Sequence, residues 1–189
     1  MYFDEVSEGM FELDDSPTEF ENNIILAKEG DKDAFIGVIE EYKIDLYRMG
    51  RTILDSDDDI GDAIQETVLK AYKSLKSLKN LHSFKPWLIK IMVNECNNIL
   101  RSKKKIVFLD KIFHKEESYV DDYNFDKQPV LKAVKKLEPK FREPILLYYY
   151  EDLSVKEISK CLDISEGTVK SRLSRARNKL FQLLKEVQD

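Results

Sequence analysis

Two runs of this 189-residue chain combine cations, amides and hydroxyls at helical spacing. In the first, Lys90, Asn94, Asn97 and Arg101 are four, three and four residues apart, so they share one helix face. The loop before them adds Lys79, Asn80 and His82. Amides beside cations suit exposed base edges together with backbone phosphates, the mixture an unpaired strand offers. Phe84 opens the same helix and could stack on a base, although large aromatics are more often core. The second run holds Ser165, Glu166, Thr168, Lys170, Ser171, Arg172 and Arg175. Its hydroxyls and guanidiniums are the groups that reach base edges and phosphates in a major groove. Glu166 could read cytosine or could simply complement the helix dipole.

The second run has local geometry to support it. Ser154 and Glu157 form a capping-box pair that starts one helix, and Ser165 caps the next. Leu162-Asp163-Ile164 between them has the length of a helix-turn-helix turn. Ser159 is small enough for the helix crossing, and Asp163 tolerates the positive φ that the turn needs. Val169, Leu173, Ala176, Leu180 and Leu184 form one apolar stripe behind the basic face. A charge run alone usually marks a solvated helix. Here caps, turn, stripe and basic face coincide, which predicts DNA binding.

The elements that position these residues are helical throughout. The chain has only six Gly and five Pro, which favours long uninterrupted helices. Ile24, Ile25 and Ala27, then Phe35, Val38, Ile39, Tyr42, Leu46, Met49 and Ile53, recur at spacings of three and four. Gly30-Asp31 separates the first two helices, and Asp55-Ser56-Asp57-Asp58 supplies a loop and an N-cap. Ile60, Ile64, Thr67, Val68, Ala71, Tyr72 and Leu75 line the third, and Trp87, Leu88, Ile91, Met92, Cys96, Ile99 and Leu100 the fourth. Helical pattern returns from Val130. Pro139 suits a helix start, while Pro144 predicts a kink or a later start. The expected fold is all-α, with two small helical domains. The expected boundaries are an acidic mobile tail at 1–17, a first domain at 18–105, a linker at 106–129 and a helix-turn-helix domain at 130–189.

Bulk composition narrows the function classes. The net charge of −5 conceals an uneven distribution. Residues 1–23 carry eight acids and no base, residues 70–105 ten Lys or Arg against Glu95 alone, and residues 167–185 six Lys or Arg and no acid. Phosphates respond to such local charge within a Debye length of about 8 Å. No run approaches the roughly 20 apolar residues of a membrane span. The acidic N-terminus resembles neither a secretory signal nor a transit peptide, so a cytoplasmic protein is expected. Cys96 and Cys161 read as separate buried thiols, and His82 and His114 provide no zinc-ligand spacing. No metal cluster, Gly-rich phosphate loop or nucleophile–base pair is evident, so no enzyme, cofactor or metal is expected.

The motifs in their order resemble extracytoplasmic-function sigma factors of RNA polymerase. Ala27-Lys28-Glu29-Gly30-Asp31-Lys32-Asp33-Ala34-Phe35 is similar to the family's opening, and Asp62-Ala63-Ile64-Gln65-Glu66-Thr67 to its polymerase-gripping segment. Ser83-Phe84-Lys85-Pro86-Trp87-Leu88 resembles the start of its −10 recognition helix. Tyr148-Tyr149-Tyr150-Glu151-Asp152-Leu153-Ser154, followed by Gly167-Thr168-Val169-Lys170-Ser171-Arg172-Leu173, resembles its −35 reader. The resemblance covers about residues 24–105 and 130–186. It implies a sigma domain 2 that holds the β′ clamp helices of core polymerase through Asp62, Gln65 and Glu66 and captures a −10 base near residues 77–83. It implies a sigma domain 4 that reads the −35 element through residues 165–175 and lies by the β flap. An anti-sigma partner is implied as well. From the residues alone, Asp62, Gln65 and Glu66 could equally be solvated positions. Gly61, Ala63, Leu81-His82, Ser159 and Asp163 depart from the family's usual residues.

An ordinary helix-turn-helix repressor is the main competing reading, but it has no use for the first basic stripe. A pure interaction protein would lack the salt-sensitive DNA affinity that phosphate contacts produce.

Overall fold

The computed structural model describes residues 17–110 and 129–185. The expected acidic tail, up to residue 16, and most of the expected linker, 111–128, lie outside them. The described residues form eight α-helices: α1 (Glu19–Glu29), α2 (Lys32–Ile53), α3 (Asp57–Ser74), α4 (Phe84–Asp110), α5 (Pro129–Lys135), α6 (Pro139–Tyr149), α7 (Val155–Leu162) and α8 (Glu166–Lys185). Two 3-10 turns, Leu75–Ser77 and Leu81–Ser83, join α3 to α4. There is no strand among the described residues.

Local chemistry explains most helix ends. Thr18 and Glu21 cap α1 reciprocally: Glu21 N donates to Thr18 Oγ1 at 3.2 Å, and Thr18 N donates to the Glu21 carboxylate at 2.9 Å. Gly30 ends α1 in the left-handed region at φ 114°, where a side chain would be strained, and its N–H reaches back to Leu26 and Ala27. Asp31 then caps α2 by accepting from Ala34 N at 3.0 Å. Ser56 precedes α3, but its side chain makes no cap bond. Asp57, Asp58 and Asp59 instead put negative charge on the positive end of the α3 dipole.

Helices α1 to α4 form the first bundle. Ile24, Val38, Leu46, Met49, Ile60, Ala63, Leu88, Ile89, Met92 and Cys96 fill its centre. The closest approach is at Gly50 of α2. A Cβ there would meet Ile60 Cγ2 at 2.8 Å and Met92 Cε at 3.0 Å, so α3 and α4 both press on bare backbone. Thr67 Oγ1 donates to Ala63 O at 2.6 Å, which satisfies a hydroxyl buried in the core. Helix α4 continues to Asp110, five residues beyond the boundary expected from the sequence.

Helices α5 to α7 pack on α8 through Val134, Leu137, Phe141, Ile145, Leu146, Ile158, Val169, Leu173 and Ala176. Helix α6 starts at Pro139 and contains Pro144 within it, so the later start does not occur. Pro144 is buried, and its ring serves as core packing in place of the backbone bond that it deletes. The second group also packs directly on the first, through α7 on α4 and α6 on α2. The buried apolar residues of the two groups form one continuous core cluster.

The close approach at Gly50 generates a test. Gly50→Val should lower the free energy of unfolding by about 1–3 kcal/mol, as overpacking does. Urea titration followed by circular dichroism reads it, and an unchanged midpoint would contradict the packing described.

Candidate nucleic-acid interface

The helix-turn-helix is built as its sequence demands. Ser154 Oγ accepts from Glu157 N at 3.3 Å, and the Glu157 carboxylate accepts from Ser154 N at 2.8 Å, closing the capping box of α7. Asp163 ends α7 at φ 51°, ψ 46°, in the left-handed conformation anticipated for the turn. Its N–H, and that of Ile164, donate to Ser159 O. Ser165 accepts from Thr168 N at 3.1 Å and starts α8. Val169, Leu173 and Ala176 are buried, which points the opposite face of α8 outward.

That outward face is less uniform than its sequence suggested. Ser165, Glu166, Lys170, Ser171 and Arg175 are exposed. Thr168 is half-buried, and its hydroxyl lies 2.8 Å from Ser165 Oγ, so this pair serves the cap first. Ser171 Oγ donates to Thr168 O at 3.0 Å, which leaves the oxygen's lone pairs for a ligand. Arg172 is half-buried rather than fully presented to solvent. It is one of three arginines, with Arg142 and Arg101, that favour the charged form of Glu143. Burial nevertheless pushes the Glu143 carboxyl above its ordinary range.

Helix α4 divides cleanly into two sides. Leu88, Ile89, Met92, Val93 and Cys96 are buried, while Asn94 and Arg101 are exposed and Lys90 and Asn97 half-buried. Lys90 Nζ donates to Lys160 O at 2.7 Å and to Asp163 Oδ1 at 2.8 Å. The Asn97 side chain favours the charged form of Glu143 on α6. The expected stripe therefore exists, but Lys90 is engaged by the second helical group.

The preceding loop is held in place by Lys28, whose Nζ donates to Leu78 O at 2.7 Å. Lys79, Asn80 and His82 are exposed there. The Asn80 side chain accepts from His82 N at 3.0 Å, and His82 Nδ1 lies 3.0 Å from Glu21 Oε1. Sequence reasoning missed Glu21, which comes from a helix some 60 residues earlier. Phe84 requires a correction. It is only 1% exposed, with Phe20, Tyr42 and Trp87 ringing it at centroid distances of 5.6–5.9 Å. An aromatic cluster of that kind is core, and Phe84 offers no face to a base.

On α3, Asp62, Gln65 and Glu66 are exposed and border a shallow depression with Leu69. Leu69 is 45% exposed. An apolar side chain three residues after Glu66, off the buried stripe, was the available signal for it. Lys70 bridges Glu66 at 3.5 Å and Glu95 at 2.7 Å, and the Glu95 bond raises its ammonium pKa. Glu95, the lone acid of its basic stretch, thus neutralises a lysine of the neighbouring helix.

Cys96 and Cys161 are free and buried, as anticipated. Burial pushes both thiols up to about 12. Among the described residues no group of His, Cys, Asp or Glu could hold a metal ion, and no helix is long and apolar enough to cross a membrane.

A family model described as "Sigma-70 region 2" matches residues 38–106, and one described as "Sigma-70, region 4" matches residues 127–180. The chain is 30% identical over 160 residues to "RNA polymerase sigma factor SigV" of Bacillus subtilis, covering 84% of this chain and 96% of the relative. It is 30% identical over 175 residues to "ECF RNA polymerase sigma factor SigW" of the same organism, covering 85% and 94%. Its fold is similar to that of the sigma factor RpoE, solved in complex with the anti-sigma factor NepR from Bartonella quintana. That likeness has a TM-score of 0.66 at 25% identity and covers 88% of this chain and 96% of the other.

The raised thiol pKa values predict that neither cysteine of the folded chain reacts with a thiol reagent at pH 8, where the thiolate is scarce. Both should react once denaturant exposes them. Rapid modification of the native chain, read by absorbance and mass, would refute the burial of both thiols.

Proposed function

The chain belongs to the sigma-70 family of RNA polymerase sigma factors, in its extracytoplasmic-function group, and we propose how its residues divide that family's work. Its function is transcription initiation: it binds core RNA polymerase and recognises the −35 and −10 promoter elements. In the proposed division, residues 18–105 act as domain 2 and residues 130–189 as domain 4, with the segment between them as the tether. The observation that carries this reading is the presence in one chain of two basic helix faces, on α4 and α8, with a separate acidic face on α3.

Asp62, Gln65 and Glu66, with Leu69 beside them, form the surface for the β′ clamp helices. Exposed carboxylates around an apolar contact suit a basic helical partner. The loop residues Lys79, Asn80 and His82, with Lys90, Asn94, Asn97 and Arg101, meet the melted −10 strand, where cations hold phosphates and amides meet base edges. Ser165, Glu166, Thr168, Lys170, Ser171, Arg172 and Arg175 present the recognition helix to the −35 duplex. The α8 N-terminus adds phosphate affinity there. Domain 4 lies by the β flap. The chain is a regulator rather than an enzyme and works in the cytoplasm, where the polymerase is. An anti-sigma protein restrains it, as the NepR complex of RpoE suggests by analogy.

The deciding experiment is run-off transcription with sigma-free core polymerase and genomic fragments. Specific transcripts should appear only when the chain is added, and their absence at every site would sink the reading. Arg175→Ala should weaken promoter affinity by about 5- to 100-fold, the value of one base or phosphate contact, without loss of polymerase binding. Asn94→Ala should impair promoter opening, read by permanganate reactivity, more than initial binding. Glu66→Lys should abolish co-elution with core polymerase while leaving the circular dichroism spectrum intact. Loss of core binding alone in all three variants would refute the role assignment.

A further inference from the structure

A cavity of about 180 Å³ opens between the start of α1 and the loop that precedes α4. Sites for larger ligands run to about 300–1,000 Å³, so this volume suits one small flat group. Phe20 and Tyr42, which pack edge-on to each other and rest on Phe84, form its apolar wall. Glu21 and His82 line its polar side. The Glu21 side chain is only 15% exposed and that of His82 is 82% exposed, so the carboxylate sits inside and the imidazole at the rim.

Glu21 has an acceptor position left over. A carboxylate offers about four lone-pair positions. Oε2 accepts from Thr18 N at 2.9 Å and from Thr18 Oγ1 at 3.2 Å, the bonds of the α1 cap. Oε1 faces His82 Nδ1 at 3.0 Å. Among the described residues no donor fills the fourth position. The Thr18 backbone bond holds the carboxyl below its ordinary range, so at neutral pH it is charged and can only accept. Capping α1 accounts for Oε2 alone. The surrounding loop and the start of α4 are otherwise cationic, with Lys76, Lys79 and Lys85. A carboxylate in a surface that meets a polyanion costs affinity unless a donor on the strand reaches it.

We propose, resting on the sigma-factor reading above, that this cavity receives one unpaired base of the −10 strand and that Glu21 selects a base with an exocyclic amine, refusing thymine. The amine donates to the open Oε1 position, as cytosine N4 does to a carboxylate in a groove. Thymine has no amine, and its one ring N–H is flanked by two carbonyls that would face the carboxylate with acceptor against acceptor. The base ring lies against Phe20 and Tyr42, as bases do on aromatic side chains. His82 holds Oε1 in position. Glu21 is thus a specificity-determining residue contributed by α1, outside the loop itself.

Transcription by the holoenzyme tests this on a promoter recovered in the run-off experiment. The non-template strand carries each base in turn at every −10 position. At one position cytosine should outperform thymine, a ring of the same size, by about 5- to 100-fold, the value of one base contact. Uracil there should behave as thymine, which removes the methyl group as the cause. N4,N4-dimethylcytosine should lose the cytosine advantage, because it keeps the ring and lacks the donor. Glu21→Gln preserves the α1 cap, which takes Glu or Gln, and adds an amide donor that satisfies a carbonyl. Its cytosine-to-thymine ratio should fall toward one at that position alone, whereas damage to the cap would lower transcription from all templates equally. The assignment is overturned if the unsubstituted chain prefers thymine or shows no preference at every −10 position. It is overturned as well if dimethylcytosine serves as well as cytosine, or if Glu21→Gln keeps the original ratio. The modified bases are read with the unsubstituted chain, so they decide the matter even where the variant does not fold. Absence of transcripts from every template would remove the sigma-factor reading and this assignment with it, a result distinct from transcripts without base preference.

Discussion

The structure depends on the amphipathic division of α4. Its apolar side, from Leu88 to Cys96, closes the first bundle against α2 and α3, where Gly50 allows the backbones to approach closely. Its polar side carries the cations and amides proposed to face nucleic acid. The two sides constrain each other. Burial of Met92, Val93 and Cys96 fixes the rotation of the helix, and that rotation determines where Lys90, Asn94 and Arg101 point. A side chain on a packed helix is oriented more firmly than one on a loop, so the rigidity of the bundle is transferred to the contact surface.

The helix-turn-helix reaches the same end by local means. Its caps and its left-handed Asp163 are satisfied within a few residues, while Ile158, Val169, Leu173 and Ala176 pack it against the rest of its group. Such a unit can be moved as a body without losing its internal bonds. That property matters for a protein whose two readers serve distant sites. The seam that joins it to α4 is continuous with the apolar core and adds at its edge the ion pair of Lys90 with Asp163, a contact that water and phosphates can replace. Exposed pairs of this kind contribute about 0–1 kcal/mol each. The core of either group, by contrast, is apolar and has no such substitute.

Phe84 and Lys90 show how sequence position and exposed function can separate. Both lie in a stretch that resembles a DNA-reading helix. Phe84 is absorbed by Phe20 and Tyr42, which arrive from α1 and α2, so its ring packs the bundle. Lys90 is where periodicity places it, yet its ammonium is held by a turn 73 residues away. Glu21 beside His82 and Leu69 beside Glu66 are the converse cases, residues without a motif that the fold brings to a candidate surface.

Everything governed by nearest neighbours was legible in the amino-acid order. The break at Gly30-Asp31, the Ser154–Glu157 box, the Asp163 turn, the buried stripe of α8 and the face shared by Lys90, Asn94, Asn97 and Arg101 follow from helix periodicity and from bonds spanning three or four residues. Of the two outcomes expected at Pro144, the later start did not follow: α6 runs from Pro139 through the buried Pro144 ring. The contacts between distant segments were decided by tertiary structure alone: the enclosure of Glu151, the pairing of Lys70 with Glu95 and the placement of Lys90 at the end of α7. The physical reason is that spacing along a helix specifies a side chain's direction, whereas its partner depends on which other surface the packed core brings within about 3 Å.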